Sequence, residues 1–372
     1  MQPELKRATW LELFYDVAFI ALVAQLTYLA FSYHHTLIDL FNIFLIGYII
    51  FIVWWATTAN RNLKPSETTP DKVSLQVQLV GAFLLSLSMA DVFKGDYTAF
   101  FVTLSIVRFL QAGSIIRLYY YYPETRPVTY NILQGFLVGA ALWGLAAFVP
   151  LLYFPIVTLM ALMVEILTPL TRGKGNTTRY LNVYHLQERL GLFLMLVIGE
   201  SMIVVALANS VGSMSVVEPL VIFAGLGTMI SLWWLYFEHS DLHQGVRPKN
   251  LIVFIHSHAF LFGSIILLSV GYKLAIETPN NFETAVFVAC GTLGIAVTLL
   301  LIRIMLHNGI CKSVLQLLPF LFTMLIVIAV SMTMGWYLEM IVALSVISLF
   351  GAYIDRKFYF QPNSIDTSKM PT

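Results

Sequence analysis

Runs of about twenty apolar residues, separated by short polar segments, recur along the whole chain. A bilayer core about 30 Å thick is crossed by roughly 20 helical residues at about 1.5 Å each. The pattern therefore predicts twelve transmembrane helices, at 10–32, 37–60, 73–93, 97–120, 129–148, 150–168, 188–210, 216–237, 250–272, 283–305, 313–333 and 335–355. The fifth and sixth are divided only by the segment FVPLLYFP, where Pro150 and Pro155 disfavour helix in the residues before them. Fusing the two would change the parity of the chain.

Composition agrees with a lipid solvent: 59% of the 372 residues are hydrophobic and 11% are charged. The mean hydropathy is +0.81. An all-α integral membrane protein is expected, and a soluble globular domain is excluded. With twelve spans, eighteen of the 21 Lys and Arg residues fall on the side that carries both termini. Basic residues concentrate on the cytoplasmic side, so both termini are expected there, on the inner face of a cytoplasmic membrane. Lys94 and Lys273 fall on the other side, and Arg108 falls within a span. The net charge of +1, with basic residues dispersed along one face, argues against a nucleic-acid partner. Cys290 and Cys311 are 21 residues apart, at opposite ends of one helix and its loop, too far to bridge. Glu12 and Asp16 interrupt the first apolar run and speak against a cleaved signal peptide.

A faint repeat is present. FIVWWATTANRNL at 51–63 and ISLWWLYFEHSDL at 230–242 end the second and eighth spans at an offset of 179, and Glu12 and Glu188 are 176 apart. The expected organisation is a six-helix unit at 1–168, a connecting loop at 169–187, a second six-helix unit at 188–360 and a tail at 361–372. An even number of spans per unit makes the two halves parallel, related by an axis along the membrane normal, as in some transporters.

Polar residues at fixed places within the apolar spans carry a family resemblance. ATWLELFYDVAFIALVAQLTYLAF at 8–31, ERLGLFLMLVIGESMIVV at 188–205, WWLYFE at 233–238 and HSHAF at 256–260 resemble the bacterial low temperature requirement A proteins. The resemblance implies an integral bacterial membrane protein and supplies no reaction, substrate or cofactor. The segment NRNLKP after the first tryptophan pair departs from the family's pattern at Asn60 and Arg61.

Charges inside the spans are the candidate chemistry. Glu200 and Arg108 are both expected near the midplane, where an unpaired charge costs at least about 2.5–3.5 kcal/mol, so each is the candidate partner of the other. The pair reads either as a static lock or as a proton or substrate site, with Ser201 beside it and Gln25 as a counterpart from the first span. Glu12 and Asp16 are spaced i, i+4 on one helix face and need positive neighbours, for which Arg189, Arg303 and His256 are placed at the same membrane face. Glu188 and Glu165 are assigned to the same cytoplasmic network, and His258 to the entrance as a hydrogen-bonding or relay residue. The tryptophan pairs Trp54–Trp55 and Trp233–Trp234 are expected as interfacial anchors.

His239 and His243 are also i, i+4, the spacing by which one helix presents two metal ligands, with Glu238, Asp241, His256 and His258 nearby. Three function classes stay open. The first is a secondary transporter or ion-conducting protein for a small solute or ion, proton-coupled, with Glu200 and Arg108 at its centre. The second is an intramembrane metal enzyme built on the histidines, and the third a structural or sensory membrane protein. No cofactor is expected; membrane lipids are, and a homo-oligomer is compatible with this reading.

Overall fold

The computed structural model describes residues 8–32, 37–64, 68–150, 153–171, 181–207, 216–240, 246, 250–278, 280–307 and 312–359. They form twelve α-helices: α1 (Trp10–Ser32), α2 (Leu37–Asn62), α3 (Thr69–Phe93), α4 (Thr98–Tyr121), α5 (Arg126–Ala146), α6 (Phe154–Thr171), α7 (Val183–Ala206), α8 (Val217–Ser240), α9 (Leu251–Glu277), α10 (Phe282–Leu306), α11 (Lys312–Met334) and α12 (Tyr337–Tyr359). No strand occurs among the described residues. Eleven helices are long and apolar enough to cross a bilayer, and the apolar part of α6, Pro155–Thr168, is shorter. The protein is a polytopic helical membrane protein.

Polar residues at the helix ends set the boundaries. The Asn182 and Asn281 side chains accept from the backbone N–H groups of His185 (3.1 Å) and Glu283 (2.9 Å), capping α7 and α10. Thr68 and Asp71 form a capping box on α3. Each such cap stabilises its helix by about 1 kcal/mol. Gly95 and Gly335, at φ +88° and +72°, make the turns after α3 and α11, a conformation that other residues adopt only under strain.

Residue pairing fixes the helix directions. Neighbours in sequence run antiparallel: Thr57 meets Gln78 and Lys64 meets Asp71 between α2 and α3, and Gly271 meets Val288 and Gly291 meets Leu268 between α9 and α10. Helices an even number apart run parallel. Ile52 and Val53 meet Arg108 and Gln111 between α2 and α4, while Ala224 and Glu238 meet Ser345 and Arg356 between α8 and α12. Between α5 and α6, Gly135 faces Thr168 and Gly139 faces Glu165, so α6 turns back on α5 and keeps the alternation.

The most enclosed helix is α9, which packs on α1, α2, α7, α8 and α10. Gly291 permits the tight approach to α10: a Cβ there would lie 2.7 Å from the Leu268 backbone nitrogen. By contrast α11, which contains Pro319, is the least buried of the long apolar helices and packs on α10 and α12.

Candidate functional site

Helices α1 and α7 lie side by side and carry an acidic and a basic series into register. Glu12 faces His185 (3.7 Å), Asp16 binds Arg189 (2.7 Å) and Thr27 faces Glu200. In each pair the two residue numbers differ by 173, so the helices are parallel and meet along one stripe. This seam joins the first six helices to the last six.

The cytoplasmic-side end of the seam, as the sequence orients it, is densely polar. Asp16 Oδ1 accepts both from Arg189 Nη2 (2.7 Å) and from the indole N–H of Trp54 (2.7 Å). The Trp54 ring stacks on Phe193, with centroids 4.4 Å apart. Glu12 accepts from the backbone N–H of Thr9 (2.8 Å) and lies 3.6 Å from Arg61. Asn62 bonds His185 Nδ1 (3.0 Å) and, through its Oδ1, the backbone N–H of Asn182 (2.8 Å), tying the end of α2 to the start of α7. Asp16 and Arg189 are 0% and 1% exposed, yet Asp16 Oδ2 and Arg189 Nε and Nη1 have no hydrogen-bond partner among the described residues. A buried site left with both a spare acceptor and spare donors has capacity to bind something.

Further along, Glu200 is 6% exposed. Thr27 faces it, but the Thr27 hydroxyl is turned to the Val23 carbonyl (3.0 Å), and neither carboxylate oxygen has a hydrogen bond among the described residues. The Ser201 hydroxyl is likewise buried and unpartnered.

The expected Glu200–Arg108 pair is corrected. Arg108 pairs instead with Glu165 of α6, donates to Gln111 Oε1 (2.8 Å) and lies over the Phe136 ring (5.1 Å). Glu165 also accepts from the Trp143 indole (3.0 Å). From Gln111 the hydrogen bonds continue to Thr57, which is joined to Tyr15 and Gln78, and on to Ser114. The physical reason is depth. Because α7 begins at Val183, Glu200 lies only six residues, about 9 Å, from its far end; Arg108 and Glu165 lie ten and eleven residues into α4 and α6 from that same side, about 15–17 Å.

Other expectations divide. Arg189 joins the Glu12–Asp16 cluster as expected. Arg303 does not: it forms a two-pronged bond to Asp355 (2.7 and 2.8 Å) and donates to the Leu235 carbonyl. His256 Nδ1 meets the Tyr48 hydroxyl (2.9 Å) instead, and Glu188 is exposed. Glu165 leaves the cytoplasmic network for Arg108. Gln25 is half-buried, two residues round the helix from the stripe that Thr27 occupies. His258 Nδ1 donates to the Phe254 carbonyl (2.7 Å), which leaves Nε2 to accept from the Tyr236 hydroxyl (2.9 Å). Those bonds fix its ring between α8 and α9. His243 lies outside the described residues, as does the side chain of His239; among the described residues no group of three His, Cys, Asp or Glu could hold a metal.

Trp54 and Trp143, both 0% exposed, are buried donors to Asp16 and Glu165. The aromatic abundance concealed them, since an interfacial and a buried tryptophan read alike in sequence. Comparison with known proteins settles the lineage: residues 7–352 match the family model for the bacterial low temperature requirement A protein. The chain belongs to that family. It is also similar to an uncharacterized protein of Rhizobium meliloti (strain 1021), 22% identical over 302 residues covering 75% of this chain and 72% of the relative.

Proposed function

We propose that this low temperature requirement A family member is a secondary transport protein, proton-coupled, whose pathway follows the α1–α7 seam between two six-helix halves. The observation that carries the reading is the register of that seam, which brings Asp16–Arg189 and Glu200 onto one line through the bundle with unpartnered polar atoms at both. A carboxyl group buried without a cationic partner is stable in the membrane when protonated, and moving it toward water lets it release the proton. Glu200 is the carrier in this scheme. Asp16 and Arg189 close the opposite end.

Helix packing supports the two-halves reading. In each half the third helix packs on the first, the second on the third and fourth, and the fourth, fifth and sixth in succession. The orientation follows from the basic residues: Arg61, Lys64, Arg117, Arg126 and Arg356 lie toward the ends where odd-numbered helices begin, and Lys94 and Lys273 toward the opposite ends. The first face is then cytoplasmic.

The test is proton movement into liposomes containing the purified protein, driven by a potassium diffusion potential and followed with an entrapped pH dye. The parent protein is expected to move protons alone or with a co-supplied solute. Glu200→Gln and Asp16→Asn should each slow this more than tenfold. Equal rates in parent and both variants, or no movement by the parent, would refute the proposal.

A further inference from the structure

We infer that Phe31 and Lys273 form the outer gate of the seam, with Lys273 serving as a tethered cation for Glu200. The inference rests on the transport reading and names the element that closes the end opposite Asp16–Arg189.

The Lys273 ammonium lies 3.7 Å from the centroid of the Phe31 ring. Phe31 belongs to the first six helices and Lys273 to the last six, so the contact joins the two sets through α9, a helix that packs on both α1 and α7. Phe31 is four residues beyond Thr27 and therefore on the same stripe of α1, one turn closer to the membrane surface than the residue that faces Glu200. Lys273 is four residues from the end of α9 and Glu200 six from the end of α7, about 6 and 9 Å below the same surface. The ring and the ammonium thus lie nearer that surface than the unpartnered carboxyl.

The chemistry of the two seam ends differs in a way that suits a gate. Asp16 is held by a guanidinium and an indole at once. The outer contact is a single ammonium on a flexible four-carbon stem resting on a ring, which is easily exchanged. Other charged groups toward this surface are Glu277 on α9, Glu283 at the start of α10, Glu218 at the start of α8, Asp39 at the start of α2, Glu339 at the start of α12 and Asp96 just before α4, while Asp91 is paired with Lys94 (3.0 Å). Glu277 lies four residues from Lys273 on its own helix, one turn nearer the surface, within reach of its charge. A neutral Glu200 leaves Lys273 between Phe31 and Glu277. An ionised Glu200 draws it inward, off the ring, and the seam opens to the outer face.

The test reads access rather than flux, so it needs no known solute. Cys290 and Cys311 are replaced by serine, Thr27→Cys is introduced, and a membrane-impermeant maleimide is applied from the Lys94 side of sided vesicles. Slow labelling is expected with the gate intact, and at least tenfold faster labelling with Phe31→Ala and Lys273→Ala. Phe31→Tyr and Lys273→Arg preserve the ring–cation contact and should stay slow, which separates gating from loss of fold. In the intact gate, labelling relative to an Asp96→Cys loop control should quicken at alkaline pH, and Glu200→Gln should abolish that change. Alanine variants labelled at the parent rate, or a pH response that survives Glu200→Gln, would overturn the gate. The transport reading would stand in that case if Asp16 and Glu200 still controlled flux; it falls only on the flux experiment.

Discussion

Each half of the molecule ties its fourth helix to its sixth with an arginine and a carboxylate, but at different depths. In the first half Arg108 meets Glu165 near the middle of α4 and α6, and the pair feeds a buried hydrogen-bond chain through Gln111 and Thr57 to Gln78. In the second half Arg303 meets Asp355 three or four residues from the ends of α10 and α12, where the Leu235 carbonyl accepts a further bond from the arginine. The surroundings differ as well: α12 packs broadly on α8, whereas α6 leans mainly on α5. A sixth helix with little other support is held by a charge pair deep in the membrane, and one held by packing needs its pair only near the surface. Each pair leaves only the arginine Nε without a partner among the described residues, whereas the seam leaves Asp16 Oδ2, Arg189 Nε and Nη1 and both Glu200 oxygens. On the transport reading the pairs belong to architecture and the seam charges to function.

The largest effect is expected at the deep pair. Arg108→Met strands the Glu165 carboxylate, and Glu165→Leu strands the guanidinium; either should destabilise the protein by about 3–5 kcal/mol, measured as SDS-induced unfolding in mixed micelles. Replacing both together should recover most of that loss, because the uncompensated charge is gone. The double variant should also keep proton flux. Flux lost in a stable double variant would return Arg108 to the pathway and break the division between architecture and seam.

That division was only partly legible in the sequence. Apolar run length located all twelve helices, and the i, i+4 spacing of Glu12 and Asp16 with the position of Arg189 foresaw the cluster at one end of the seam. What misled was the placement of helix ends. Starting the seventh span at Glu188 instead of Val183 moved Glu200 inward by five residues, about 7 Å, and starting the sixth at Pro150 instead of Phe154 moved Glu165 away from mid-membrane. Those two shifts exchanged the apparent partner of Arg108. Hydropathy cannot correct them, because Val183, Tyr184 and Leu186 extend the helix through residues that are not continuously apolar. Nor does hydropathy show that Trp54 and Trp143 turn their N–H groups inward.

At the shallower pair, Arg303→Met should destabilise by less, on the order of 1–3 kcal/mol, since the stranded Asp355 lies close enough to the membrane surface to recruit water. The same unfolding assay compares the two halves directly. A loss equal to that of Arg108→Met would remove depth as the distinction between them.

The smallest effect probes the space around the deep pair rather than its charges. Gly139 on α5 faces Glu165 so closely that an added Cβ would lie 2.8 Å from its Cγ and 2.9 Å from Oε1, the oxygen that accepts from Trp143. Gly139→Ala must push α6 outward or turn the carboxylate from its donors, and overpacking of this kind costs about 1–3 kcal/mol. Gly113 on α4 supplies the control, since a Cβ there meets nothing within 4 Å. Gly113→Ala should be neutral or stabilise by up to about 1 kcal/mol through helix propensity alone. Opposite signs for two identical substitutions would show that α6 is positioned by the fit around Glu165, whereas matching signs would mean that α6 is loose enough to absorb a methyl group and that the deep pair does not fix its place.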